Sequence, residues 1–132
     1  MQINYWAVLV AAVANFIIGF LLHGPVAGKL WMRLANVTPT GNEKFSDMIP
    51  QMVKNLAMNI VSAFVLGAMI VWNGINTAGQ GMIFAAWVWL GFIVTSSSMD
   101  VIWMKRSVKL WMFENFASLL SMLAVGAILA TW

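Results

Sequence analysis

The chain has 132 residues, of which 62% are hydrophobic and only 8% charged, and its formal net charge is +3. A water-soluble domain carries about a quarter charged residues, so this chain lacks the polar material to coat a water-facing surface. It has no cysteine and a single histidine, His23, which excludes disulfides, thiolate sites and any site needing two imidazoles from one chain.

Four apolar stretches, at about 5–22, 52–72, 82–103 and 111–132, are long enough to cross a hydrocarbon core, which takes about 20 helical residues. None carries a charge near its centre. Residues 1–4 hold no Lys or Arg, and the run after them exceeds a signal-peptide core, so the first stretch is expected to be a retained helix. Gly24-Pro25 ends it, because proline cannot continue a helix. Within the first connection, 23–51, Lys29 and Arg33 fall one helical turn apart beside Leu30, Trp31 and Leu34. That pattern predicts a short basic amphipathic helix lying in the membrane interface. Residues 36–41 have turn chemistry; Phe45, Met48, Ile49 and Met52 then recur at helical spacing, with Pro50 expected in the first turn of the second span. The second connection, 73–81, is a short polar turn, and the third, 104–110, is tight enough to force an antiparallel helix pair. No internal repeat is present. The expected fold is an all-α membrane protein: one transmembrane domain over 1–132, a four-transmembrane-helix bundle with a short interfacial amphipathic helix between the first and second spans.

Orientation follows from the basic residues. Lys29, Arg33, Lys44 and Lys54 lie in or beside the first connection, and Lys105, Arg106 and Lys109 lie in the third. The N-terminus, second connection and C-terminus have no charged side chain. The first and third loops are therefore expected in the cytoplasm, with both termini outside. Glu43, Asp47, Asp100 and Glu114 share the basic side but weigh little in this rule. Trp6, Trp72 and Trp132 would mark the outer edge of the membrane and Trp31, Trp103 and Trp111 the inner one, while Trp87 and Trp89 lie deeper.

The polar residues inside the spans form spaced faces. Ala7, Ala11, Asn15 and Gly19 recur every four residues in the first span; Asn55, Asn59, Ala63 and Gly67 do so in the second, with Ser62 adjacent. The third has Gly91, Thr95 and Ser98 on one face; the fourth has Glu114 and Asn115, then Ser118 and Ser121. Small residues four apart let helices approach closely, and Asn or Ser can hydrogen-bond across the seam. These faces are expected to be packing surfaces; the sharper expectation is that some of the candidate polar face, Asn15, Asn55, Asn59, Ser62, Thr95, Ser98, Ser118 and Ser121, line a polar path or ligand pocket suited to a neutral or weakly polar solute. Asp100, Lys105, Arg106, Lys109, Glu114 and Asn115 form a candidate polar cluster at the inner face. It is expected to fix the third hairpin through salt bridges, and alternatively to act as a gate or proton-linked site. His23, Lys29, Trp31 and Arg33 are expected at the interface, with His23 bonded to headgroup or backbone.

The chain resembles the bacterial membrane-protein family catalogued as domain of unknown function 1761. The likeness spans nearly the full length and rests on several short patterns. These are Gly24-Pro25 with Gly28-Lys29 and Trp31-Met32, Trp89-Leu-Gly-Phe92 with Thr95, Arg106 with Lys109-Leu110, and Gly126-Ala-Ile-Leu-Ala130 with Trp132. It departs at Leu22-His23, where the family tends to have an aromatic pair. The resemblance implies an all-helical protein of the bacterial cytoplasmic membrane and brings no established activity.

No catalytic, cofactor or metal motif is expected. Quinone-linked thiol oxidases need cysteines, a di-iron site needs carboxylates with several histidines, and a bis-histidine haem needs two imidazoles. No basic run with interleaved aromatics tracks a phosphate backbone, so nucleic acid is not an expected partner. The expected partners are the lipid bilayer and either further copies of the chain or other membrane subunits. Function is expected to be non-enzymatic association, as a homo-oligomer or an accessory subunit. The alternative is a small oligomeric transporter or channel. Small multidrug exporters depend on a carboxylate deep in the first span, where this chain has Asn15, so proton-coupled export of that type is disfavoured.

Overall fold

The structure is a computed structural model and describes residues 2–36 and 45–132. Glu43, Lys44 and most of the expected turn at 36–41 lie outside the described residues. Among those residues the chain forms five helices and no strand: α1 (Tyr5–His23), α2 (Gly28–Ala35), α3 (Phe45–Trp72), α4 (Ala78–Ile102) and α5 (Val108–Thr131). All but α2 are long and apolar enough to cross a membrane.

Local chemistry sets the ends. Asn4 caps α1, its Oδ1 accepting from the backbone N–H groups of Trp6 (3.1 Å) and Ala7 (3.3 Å). Thr77 caps α4 through Gln80 N–H, and Ser107 caps α5 through Leu110 N–H. Asn36 closes α2 in the left-handed conformation, φ 57°. α4 starts ahead of the apolar stretch that signalled it, because the Thr77 cap lies before its first large apolar residue. α3 also begins early, at Phe45, so Pro50 sits in the second helical turn and not the first. Pro50 has no N–H to offer the Ser46 carbonyl, a defect tolerated next to the helix end.

The four long helices do not pack evenly. α5 is the hub: it packs on α1, α3, α4 and α2, whereas α4 touches α3 only slightly. The core gathers at the end carrying both chain termini, where Val8, Ala11 and Ala12 of α1 meet Ala63, Leu66 and Ile70 of α3 and Met122 and Val125 of α5. α4 joins through glycine. A Cβ at Gly81 would strike Gly126 O and Ala130 Cβ, and one at Gly126 would strike Gly81 O and Ala85 Cβ. The two backbones therefore touch, in the small-residue geometry that membrane helices use for close approach.

Toward the opposite, basic end a cleft lies among α1, α3 and α5. The small-residue faces of α1 and α3 thus divide into two parts. Ala7, Ala11 and Ala63 are buried in the core, whereas Asn15, Gly19, Asn55 and Asn59 line an open space. In α4 a π-helical stretch, Trp89–Val94, interrupts the α-helical ladder. Such widened turns locally shift the register of a helix and often mark functional positions.

Candidate functional site

The open space is a cleft of about 500 Å³ bounded by α1, α3 and α5. Helical periodicity builds each wall. On α5, Glu114, Ala117, Ser118 and Ser121 fall at i, i+3, i+4 and i+7, one face of a helix. On α1 the face is Asn15, Phe16, Gly19, Phe20 and His23; on α3 it runs from Asp47 through Gln51 and Asn55 to Asn59. Met48 and Met52 add flexible apolar surface. The deep end is closed by Asn15 Nδ2, which donates to Asn59 Oδ1 at 3.3 Å. Interhelical bonds of this kind contribute about 0.6 kcal/mol on average and up to about 1.7. A double-mutant cycle of Asn15→Ala and Asn59→Ala, read by unfolding in mixed micelles, is expected to give a coupling in that range.

The chemistry of the lining is distinctive. Four primary amides and two hydroxyls, on Asn15, Gln51, Asn55, Asn59, Ser118 and Ser121, offer donors and acceptors without charge, while the ionisable groups Asp47, His23 and Glu114 gather at the basic end. The amides and hydroxyls alternate with the rings of Phe16 and Phe20. A concave site of this volume with a few convergent polar groups is typical of small-molecule pockets, which run about 300–1,000 Å³.

At the basic end three helices converge on Glu114. Its Oε2 lies 3.0 Å from His23 Nε2, and its Oε1 accepts from Trp31 Nε1 at 2.8 Å. The other imidazole nitrogen, Nδ1, lies 2.8 Å from Gly19 O. The edges and faces of Trp31 and Phe113 enclose the imidazole, with ring centroids 5.3 and 5.7 Å away. Glu114 thus ties the interfacial helix α2 and the end of α1 to the start of α5.

The candidate polar cluster is divided by this arrangement. Asp100 pairs with Arg106 (3.5 Å) and its carbonyl accepts from Arg106 N–H, which fixes the α4–α5 hairpin. Glu114 turns instead to His23 and Trp31. Lys105 and Lys109 are exposed, Lys105 in the left-handed conformation at φ 55°. Asn115 is buried against α4, its Nδ2 donating to Trp111 O (2.8 Å) and its Oδ1 accepting from Ser97 (3.2 Å). Trp111 Nε1 donates to Ser97 Oγ, and Trp89, the first residue of the π stretch, donates to Asn115 O and Ser118 Oγ. A second, smaller pocket of about 90 Å³ lies under the hairpin, among Ser97, Asp100, Arg106, Ser107, Trp111 and Glu114.

Of the expected polar face, Asn15, Asn55, Asn59, Ser118 and Ser121 come together in the cleft. Ser62 is exposed and apart from it. Thr95 and Ser98 bond to carbonyls of their own helix, Gly91 O and Thr95 O, as short hydroxyl side chains in membrane helices do. His23 does take the expected backbone bond, and its carboxylate partner, 91 residues away, was the part missed. Lys29 and Arg33 are exposed on α2, and Trp31 is half-buried against Glu114. No group of three or more His, Cys, Asp and Glu side chains suited to a metal ion occurs among the described residues.

The fold is that of an all-helical membrane protein, a bundle of four helices of spanning length with a polar cleft in one half. A family model described as a protein of unknown function (DUF1761) matches residues 6–130, and the chain belongs to that family. No curated protein and no solved structure matches it significantly.

Proposed function

We propose that the protein is non-enzymatic, associates with itself or with other membrane subunits, and in that assembly holds and passes a neutral or weakly polar solute. The cleft carries this reading. Its amides match a solute that exchanges hydrogen bonds without bearing charge. Its open side supports association, since Asn55 is exposed on α3 within the second span, with Gln51 one helical turn before it. An amide facing hydrocarbon without a partner costs several kcal/mol at the upper end of transfer scales, about 4–8 to cyclohexane. A second copy or another subunit laid over the cleft removes that cost. Association as an accessory subunit, with no solute, is the second reading and rests on the same exposed amides. In this reading the basic residues of the first and third connections favour the cytoplasmic side of a bacterial inner membrane for α2 and the α4–α5 hairpin, with both termini outside.

Flux of a panel of small neutral solutes into liposomes holding the full chain is expected to exceed that of empty vesicles. Filling the cleft by Ser121→Phe is expected to abolish the excess. Native mass spectrometry of gently extracted protein is expected to show a fixed oligomer or complex. Flux equal to empty vesicles would remove the solute; a monomer under every mild extraction would remove the association.

A further inference from the structure

Glu114 lines both cavities, and it is the one residue that the broad cleft and the small hairpin pocket share among the described residues. Its partner is constrained from behind. A carbonyl oxygen only accepts, so the 2.8 Å contact with Gly19 O requires His23 Nδ1 to carry its hydrogen. The other nitrogen faces a carboxylate oxygen at 3.0 Å. Two lone pairs at that distance repel, so one proton must lie between Nε2 and Oε2. The bond exists only while the proton is there.

We propose that His23 and Glu114 form a proton-exchange site that links protonation from the hairpin end to occupancy of the cleft, an inference that rests on the cleft being a solute site. Uptake transfers one proton from hydronium in the hairpin pocket to the pair, leaving water. A carboxylate facing a neutral imidazole thereby becomes a carboxylate bonded to an imidazolium. Release returns the proton to water, and no bond between heavy atoms changes. With the proton gone, the bridge between α1 and α5 opens at the mouth of the cleft, beside the Trp31 bond that holds α2.

The surrounding charges come from α2, α3 and the hairpin. α1 contributes none beyond His23; α3 contributes Asp47 on the cleft wall, and the hairpin contributes Asp100 and Arg106. α2 packs on α5 and carries exposed Lys29 and Arg33; Lys54, Lys105 and Lys109 are exposed on α3 and near the hairpin. Asp100 and Arg106 bind each other, which leaves Glu114 as the carboxylate bridging to His23.

His23 is the sole imidazole of the chain, so ¹⁵N-histidine labelling isolates it in solid-state NMR spectra. The full chain is placed in phosphatidylcholine vesicles in one orientation, and pH is varied separately on each side between about 5 and 9. Protonation of His23 is expected to follow the pH on the hairpin side. Glu114→Gln is expected to move the midpoint by about one pH unit, a tenfold change in proton affinity. Filling the cleft with Asn55→Trp, or with Gln51→Trp should the first variant not fold, is expected to move the midpoint as well. An imidazole that keeps one state throughout, that follows the other side, or whose midpoint ignores both tryptophan variants overturns the linkage. No solute enters this experiment, so failed flux and failed proton linkage are separate results.

Discussion

Gly126→Leu is expected to prevent α4 from docking, with a loss of stability of about 3 kcal/mol or more. Overpacking a close-packed site costs about 1–3 kcal/mol when neighbours can shift. Here they cannot, because the nearest atoms to a new Cβ are the Gly81 carbonyl and Ala85 Cβ, backbone and its first substituent. The helices must separate along their length, which forfeits the contacts of Ala85 and Ala130 on the same seam. Gly81→Leu should act alike, and the two together should cost less than their sum, since either alone already separates the backbones. Gly91→Leu is the control: a Cβ there meets nothing within 4 Å. SDS-induced unfolding in mixed micelles reads the difference, and equal stability of the Gly91 and Gly126 variants would refute the seam.

Glu114→Ala is expected to cost about 2 kcal/mol and to free α2. A hydrogen bond to a charged group contributes about 1.5–3 kcal/mol, and two end on this carboxylate. The His23 and Glu114 side chains are 32% and 43% exposed, so the lower part of that range applies to each, reduced further by screening. Asp100→Ala should change stability by less than about 1 kcal/mol, because its pair with Arg106 is more exposed, at 44% and 55%. Limited proteolysis around α2 provides the second readout. Cleavage there should accelerate in Glu114→Ala and stay unchanged in Asp100→Ala. Faster cleavage in both would mean that the hairpin, and not Glu114, holds α2.

Much of the fold was legible because the signal was length and hydropathy, which a span of about 20 residues averages well. The interfacial helix was legible from Lys29 and Arg33 around Trp31. The Gly81–Gly126 contact was not, because each glycine reads as an ordinary small residue until its partner is known. Small-residue spacing in α1 and α3 was visible, but spacing alone does not say where two helices diverge, so Asn15 and Asn59 resembled Ala7 and Ala63. The π stretch left no trace in composition. The His23–Glu114 pair was within reach of topology: the end of the first span and the start of the fourth lie at one end of the bundle. Asp100, near in sequence, was the more obvious neighbour, and it does share the hairpin pocket with Glu114, but the direct bonds of Glu114 go to His23 and Trp31.

The central place of α5 bears on how the chain is put into a bilayer. α1 and α3 pack against each other directly, so they can pair as soon as both have emerged from the ribosome. α4 follows with almost no protein surface to leave the insertion machinery for: its main seam is with α5, and it touches α3 only slightly. It must wait the few residues of the hairpin for its partner. α4 and α5 are therefore expected to enter lipid as one unit, and a ribosome stalled before α5 should leave α4 retained at the translocon.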